Sequence, residues 1–192
     1  MNTLFPVFLK LDQLRTLIVG GGDVAGEKLR SILQNSPEAE VTIVSSEVSP
    51  SIREAASQYP RVSLKERRFQ TDDLAERDIV ILATDNPELN RSIYEEARRR
   101  RILTNVVDTP EVCDFYMSSI IQRSNLKIAI STNGASPGLA RQLRLSLDHA
   151  LPQELESSLD WLAELREEWK DDLKKRAIRL NRILSVWSRK YY

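Results

Sequence analysis

Five short apolar, β-rich runs punctuate the first part of the chain, at residues 16–19, 41–44, 62–65, 79–83 and 103–107. Each is short and bounded by glycine, proline or polar clusters, which predicts strands. Between them the hydrophobic period changes. Residues 23–34 place Val24, Leu29, Ile32 and Leu33 at helical spacing, and residues 52–58 predict a second helix. Pro87 at a helix start, with Asn86 or Asp85 as cap, opens a third that runs to about residue 100. Strands alternating with helices imply right-handed crossovers and a parallel sheet, the α/β class.

After residue 108 the texture changes. Two further strands are predicted at 115–122 and 127–131, separated by a polar turn at 123–125. Ser136 as N-cap and Pro137 at the first helical position open a helix to about residue 149, and Pro152 ends the unit. Beyond it, Leu155, Leu159, Leu162, Trp169, Leu173, Leu180, Leu184 and Trp187 recur at three- and four-residue steps, as in one or two amphipathic helices with a charged outer face. The chain thus divides into three parts, 1–112, 113–150 and 151–192.

Composition narrows the class of partner. The 28 basic and 28 acidic residues cancel, so no global field favours nucleic acid or an anionic membrane, and a polyanionic ligand needs a local patch of arginine and lysine. A lone cysteine, Cys113, excludes an intrachain disulfide and suits a reducing cytoplasm. With no adjacent base, it reads as a packed thiol rather than a nucleophile. No signal peptide and no bilayer-spanning segment is expected. His149, the single histidine, falls at a helix end, and no Cys/His cluster predicts a preformed metal site. The run Arg98 to Arg101 closes a helix, where cations complement the dipole.

Gly20-Gly21-Gly22-Asp23-Val24-Ala25 fits G-x-G-x-x-A, directly after a strand and directly before a helix. Gly20 permits the tight turn, Gly22 lacks the Cβ that would keep a pyrophosphate from the backbone, and Ala25 lets the helix pack close to the strand. The helix N-terminus adds N–H donors and positive dipole. A Rossmann-type NAD-binding domain is therefore expected over residues 1–112. The acidic residue that grips the ribose should end the second strand, but Val44 is followed by Ser45 and Ser46, with Glu47 slightly late. Those three residues are the candidates for that contact. No arginine lies at this spot to meet a 2′-phosphate, which favours NAD over NADP. Thr84, at the end of the fourth strand, falls on the carboxyl edge where ligands of open α/β sheets bind.

The segments GGGDVAGEKLRSIL (20–33), ATDNPELN (83–90), NVVDTPEVCDF (105–115) and AISTNGASPGLARQLR (129–144) resemble the precorrin-2 dehydrogenase family, the amino-terminal module of siroheme synthase and its stand-alone relatives. The resemblance covers about residues 4–150. It implies oxidation of precorrin-2 to sirohydrochlorin with NAD+ as hydride acceptor, by a homodimer whose contact is built by the segment after the Rossmann domain. It places the catalytic carboxylate on Asp108 and cofactor contacts on Asp23, Val24, Ser46 and Glu47. Two departures fall near the implied substrate cleft: Met117-Ser118-Ser119, where a proline is common before the small pair, and Thr132 in place of a serine.

Read from the residues alone, Asp108 is equally a general base just past the fifth strand or a turn residue before Thr109-Pro110; the resemblance favours the base. A tetrapyrrole with many carboxylate arms calls for arginine and N–H donors, for which Thr132, Asn133, Gly134, Ser136 and Arg141 are the candidates. Two other activities fit the same residues. One is a bifunctional enzyme that also inserts Fe2+ into sirohydrochlorin, and the other is an NAD(H)-sensing module without turnover. The sensor has no use for Asp108 together with the 129–144 segment.

Overall fold

The computed structural model describes residues 2–152 together with Trp161 and Glu164. Five strands, β1 (Arg15–Val19), β2 (Glu40–Ser45), β3 (Val62–Glu66), β4 (Ile79–Leu82) and β5 (Leu103–Val106), form one sheet in the order β3-β2-β1-β4-β5. Every pairing is parallel. Three helices supply crossovers: α1 (Asp23–Asn35), α2 (Pro50–Gln58) and α3 (Pro87–Arg99). The expected α/β class and the Rossmann-type strand order are both found, with the order reversing between β1 and β4.

Burial on both faces explains the near-continuous apolar strands. Ile18, Ile43 and Ile81 point to the face covered by Ala25, Leu29, Ile32, Leu33 and Ile52 of α1 and α2. Leu17, Val19, Val44, Val80 and Leu82 point to the other, against Ile93 and Ala97 of α3. Val24 departs from the expected stripe: at 41% exposure it sits off the buried face of α1, which Ala25 and Gly26 occupy instead. Helix α2 begins earlier than its apolar residues indicate, because Ser49-Pro50 starts it. The third helix is capped by Asn86, whose side chain accepts from the Leu89 N–H at 3.0 Å.

The outer edge of β5 is closed by the chain that follows it. Asp114 exchanges bonds with Thr104, through its own N–H and through its carboxylate, and the Asn105 amide donates to the Phe115 carbonyl at 2.8 Å. Phe115 and Met117 pack against the sheet's core. This corrects the strand expected at 115–122: only Ser119–Arg123 is paired (β6), and residues 115–117 belong to the first unit, packed on its core. Strand β6 pairs antiparallel with β7 (Leu126–Ile130) about a turn at Ser124-Asn125, Arg123 standing opposite Leu126. Helix α4 (Pro137–Ala150) packs on this hairpin, and Arg123 holds Asp148 at 2.8 Å.

Two compact units result, one of residues 1–117 with 132–135, the other of 118–131 with the chain from 136. The first unit therefore reaches five residues past the boundary expected at 112 and takes back the 132–135 turn. The leucine–tryptophan stripe expected from Leu155 to Trp187 lies outside the described residues, save Trp161, which is 48% exposed. No helix among the described residues is long and apolar enough to cross a membrane.

An ion-pair cluster around one buried carboxylate secures the chain after β3. Asp73 is 3% exposed and binds Arg67 twice, at 2.7 and 2.6 Å. It also accepts from Lys65 at 3.1 Å and from the Gln70 N–H at 3.0 Å. The Arg67 guanidinium, with smaller help from Gln70 and Lys65, holds the Asp73 carboxyl far below the usual range against the opposing effect of burial. A lowered folded-state pKa stabilises at pH above the unfolded value, near 4, and that stability is lost as pH falls toward the folded value. Asp73→Asn is expected to cost about 2 kcal/mol at pH 7, since two guanidinium bonds lose their charge. Urea unfolding at pH 7 and pH 3 checks this: the wild-type advantage is full at pH 7 and shrinks at pH 3.

Candidate functional site

The triple-glycine turn joins β1 to α1, and its three residues have separate jobs. Gly20 has φ +125°, and a Cβ there would lie 2.2 Å from the Ala83 carbonyl oxygen. Gly21 is closed in as tightly: its Cβ would meet the Glu47 carbonyl oxygen at 1.9 Å. Gly22 differs, with φ −81° and nothing within 4 Å of an added Cβ. The first two glycines are required by the fold, whereas Gly22 leaves bare backbone facing open space. The N–H groups of the first turn of α1 lie just beyond it, without intrahelical partners. That open cradle fits a pyrophosphate.

The turn forms one wall of a cavity of about 1030 Å³ at the carboxyl ends of β1, β2 and β4, beside the strand-order reversal. Of the residues expected to hold a cofactor, Gly20, Gly22, Ser45, Ser46, Glu47 and Thr84 line it. Asp23 and Val24 do not; both side chains are exposed on the first turn of α1, which leaves their backbone as the contact they offer. Thr84 is already engaged. Its hydroxyl donates to Asn90 Oδ1 at 2.6 Å, and Asn90 Nδ2 returns a bond to the Thr84 carbonyl at 3.0 Å. Asn90 is buried in α3, so this pair fixes the β4–α3 turn that carries Asp85 and Asn86 into the cavity wall.

Among the lining residues that were not anticipated, two carry the most weight. Arg68 and Phe69 enter from beyond β3. Their signal was topological: β3 pairs with β2 in parallel, Ser45 opposite Glu66, so the chain leaving β3 emerges beside the end of β2. No arginine follows β2 in sequence, but Arg68 lines the same cavity from beyond β3.

Asp108 follows β5, whose neighbour β4 ends at the cavity. It is not itself a lining residue. Its backbone is left-handed, φ +57°, a conformation that costs an ordinary L-residue about 1–2 kcal/mol and that Asp and Asn tolerate best. The carboxylate is exposed and makes no hydrogen bond or ion pair among the described residues. The turn is instead tied by its neighbours. Cys113 Sγ accepts from the Val106 N–H at 3.3 Å and donates toward the Val106 and Thr109 carbonyls, and the Tyr116 hydroxyl donates to the Pro110 carbonyl at 3.2 Å. Burial raises the Cys113 thiol's pKa, which with these bonds makes it a structural group.

The residues expected to hold substrate are divided between the units. Thr132, Asn133 and Gly134 belong to the first. The Ala135 N–H bonds the Thr132 carbonyl at 3.0 Å, and Asn133 and Gly134 take φ +55° and +76°. This is a type I′ turn, which accounts for an Asn-Gly pair by itself. In the second unit Ser136 caps α4, accepting from the Leu139 N–H at 3.2 Å, while Arg141 is exposed with no partner among the described residues. No group of three or more potential metal ligands occurs among the described residues.

Comparison with known proteins agrees with this geometry. Residues 123–148 match the family model described as "Sirohaem biosynthesis protein central". The chain is 38% identical over 186 residues to siroheme synthase 1 of Serratia proteamaculans, covering 97% of itself and 38% of that protein. It is 40% identical over 162 residues to the siroheme synthase of Methylococcus capsulatus, covering 84% of itself and 34% of the relative. The chain thus spans little more than a third of the relatives it matches. The fold is shared with a solved structure, "SirC, precorrin-2 dehydrogenase", at TM-score 0.75 and 22% identity, over 94% of this chain and 89% of that one. Residues 7–119 match the model described as "Putative NAD(P)-binding", and since that model takes in the glycine turn, the cavity and β5, the chain belongs to this NAD(P)-binding family.

Proposed function

We propose that the chain is an NAD-dependent dehydrogenase acting in siroheme biosynthesis, oxidising precorrin-2 to sirohydrochlorin with Asp108 as general base. One observation carries the chemistry: an aspartate in left-handed backbone just past β5, its carboxylate unengaged among the described residues, on the carboxyl edge of the sheet whose β1, β2 and β4 ends form the nucleotide cradle. A turn residue would use its carboxylate to bind nearby N–H groups. Asp108 leaves its own available.

The oxidation removes two hydrogens from the tetrapyrrole framework. NAD+, when bound, would supply the two-electron acceptor for the hydride. The second hydrogen departs as a proton to the Asp108 carboxylate, which then releases it to solvent, so charge and electrons balance. The backbone at Gly22 and the start of α1 would hold the pyrophosphate, and Ser45, Ser46 and Glu47 the adenosine ribose. Arg141, exposed and without a partner among the described residues, suits a substrate carboxylate. Thr132 and the Asn133-Gly134 turn offer further donors, and Ser136 acts through its cap. Incubating the chain anaerobically with precorrin-2 and NAD+ tests the reading. Sirohydrochlorin formation supports it, and NAD+ binding without any product points instead to a sensor.

The working form is proposed to be a cytoplasmic homodimer. Leu139, Leu143 and Leu147 lie one turn apart on α4 and are 54%, 42% and 42% exposed, a stripe that a second copy would cover. Leu143→Glu puts a charge at its centre. Light scattering at micromolar concentration should report a dimer for the wild type and a monomer for the variant; a wild-type monomer would contradict the assembly.

A further inference from the structure

Three cations leave the carboxyl end of β3 together: Lys65 within the strand, and Arg67 and Arg68 beyond it. Two are neutralised. Asp73 holds Arg67 in a two-bond fork and takes Lys65 at 3.1 Å. The adjacent carboxylate, Glu66, is occupied by Arg53. Arg68 is left exposed, its guanidinium without a hydrogen bond or ion pair among the described residues, and it lines the same cavity as Ser45, Ser46 and Glu47.

The place matters as much as the charge. In doubly wound sheets the end of β2 is where the adenosine ribose is gripped; a carboxylate there takes the 2′-hydroxyl, and a nearby arginine accommodates a 2′-phosphate. Here the end of β2 is Ser45-Ser46, hydroxyls able to bond either group. Glu47 comes later, its carbonyl pressed on the glycine turn. The register of β2 and β3 brings the exit of β3 beside that strand end. A free, fork-shaped cation beside two hydroxyls is a phosphate receptor.

Resting on the nucleotide-binding reading above, we infer that Arg68 binds the 2′-phosphate of NADP(H), so that this site accepts NADP(H) alongside NAD(H). Glu47 acts in the opposite sense, favouring a free 2′-hydroxyl and opposing the phosphate by like charge. The two side chains together set the ratio of the two affinities.

Calorimetric titration of the full chain with NAD+ and with NADP+ tests this without turnover. Both should bind, with dissociation constants within about tenfold of one another, since a charge-assisted bond to phosphate contributes about 10- to 100-fold and offsets the Glu47 repulsion. Arg68→Ala should weaken NADP+ about tenfold or more and NAD+ less than about threefold. Glu47→Gln should strengthen NADP+ relative to NAD+. Added salt should weaken NADP+ binding more than NAD+ binding. The inference is overturned if NADP+ binds the wild type over a hundredfold more weakly than NAD+, or if Arg68→Ala weakens both equally. In either case retained NAD+ binding leaves the dehydrogenase reading standing. If neither nucleotide binds, both readings fall.

Discussion

Asp108→Asn is expected to fold and bind NAD+ as the wild type does, yet form sirohydrochlorin about 10²–10⁴-fold more slowly, the usual cost of losing a positioned general base. The contrast is sharp because of the backbone at this position. With φ +57° the site selects residues that tolerate the left-handed region, and Asn does so as well as Asp. Among the described residues the wild-type carboxylate makes no hydrogen bond that Asn would lose. Stability should therefore stay within about 0.5 kcal/mol, as for substitutions away from packing and networks. If Asp108 served only the turn, Asn would turn over at nearly the wild-type rate. Single-turnover assays at saturating NAD+ and precorrin-2 separate the two.

Gly22→Val should abolish cofactor binding without unfolding the protein. An added Cβ meets nothing within 4 Å, and φ −81° is ordinary for valine, so the empty protein accommodates it. The branched side chain then fills the cradle that the pyrophosphate needs. Losing two charge-assisted backbone bonds, about 1.5 kcal/mol each, weakens NAD+ more than about a hundredfold. Gly21→Ala makes the control. Its Cβ would sit 1.9 Å from the Glu47 carbonyl, a backbone atom that cannot swing aside. Overpacking of that kind costs about 1–3 kcal/mol, several degrees in Tm. Calorimetry and thermal unfolding of the pair should show binding lost at Gly22 and stability lost at Gly21.

The glycine pair also marks what could be seen in the sequence. The strand–glycine–helix grammar, the Asn86 and Ser136 caps and the five strands of the sheet are local, set by a few consecutive residues, and all are legible. Gly21 was not, since its constraint is the carbonyl of Glu47 arriving from another strand end. Arg68 was hidden for the same reason: only the β2–β3 pairing brings it to the cavity. Residues 115–118 look like a strand because Phe115 and Met117 alternate with polar neighbours, but that alternation serves docking on the core. Asn133 and Gly134 looked like ligand donors, and the left-handed turn they form explains their identities without one. The free carboxylate of Asp108 could not be read at all, since it depends on which neighbours tie the turn.

The central claim is that this chain, a little over a third of its siroheme synthase relatives in length, carries the oxidation of precorrin-2 with NAD+ as the acceptor. The most direct test is the stoichiometry of an anaerobic reaction containing only the chain, precorrin-2 and NAD+. NADH absorbance and sirohydrochlorin absorbance should rise together, one molecule of each per precorrin-2 consumed, with both signals lost in Asp108→Asn. Sirohydrochlorin appearing without NADH, or NAD+ bound and never reduced, would contradict it.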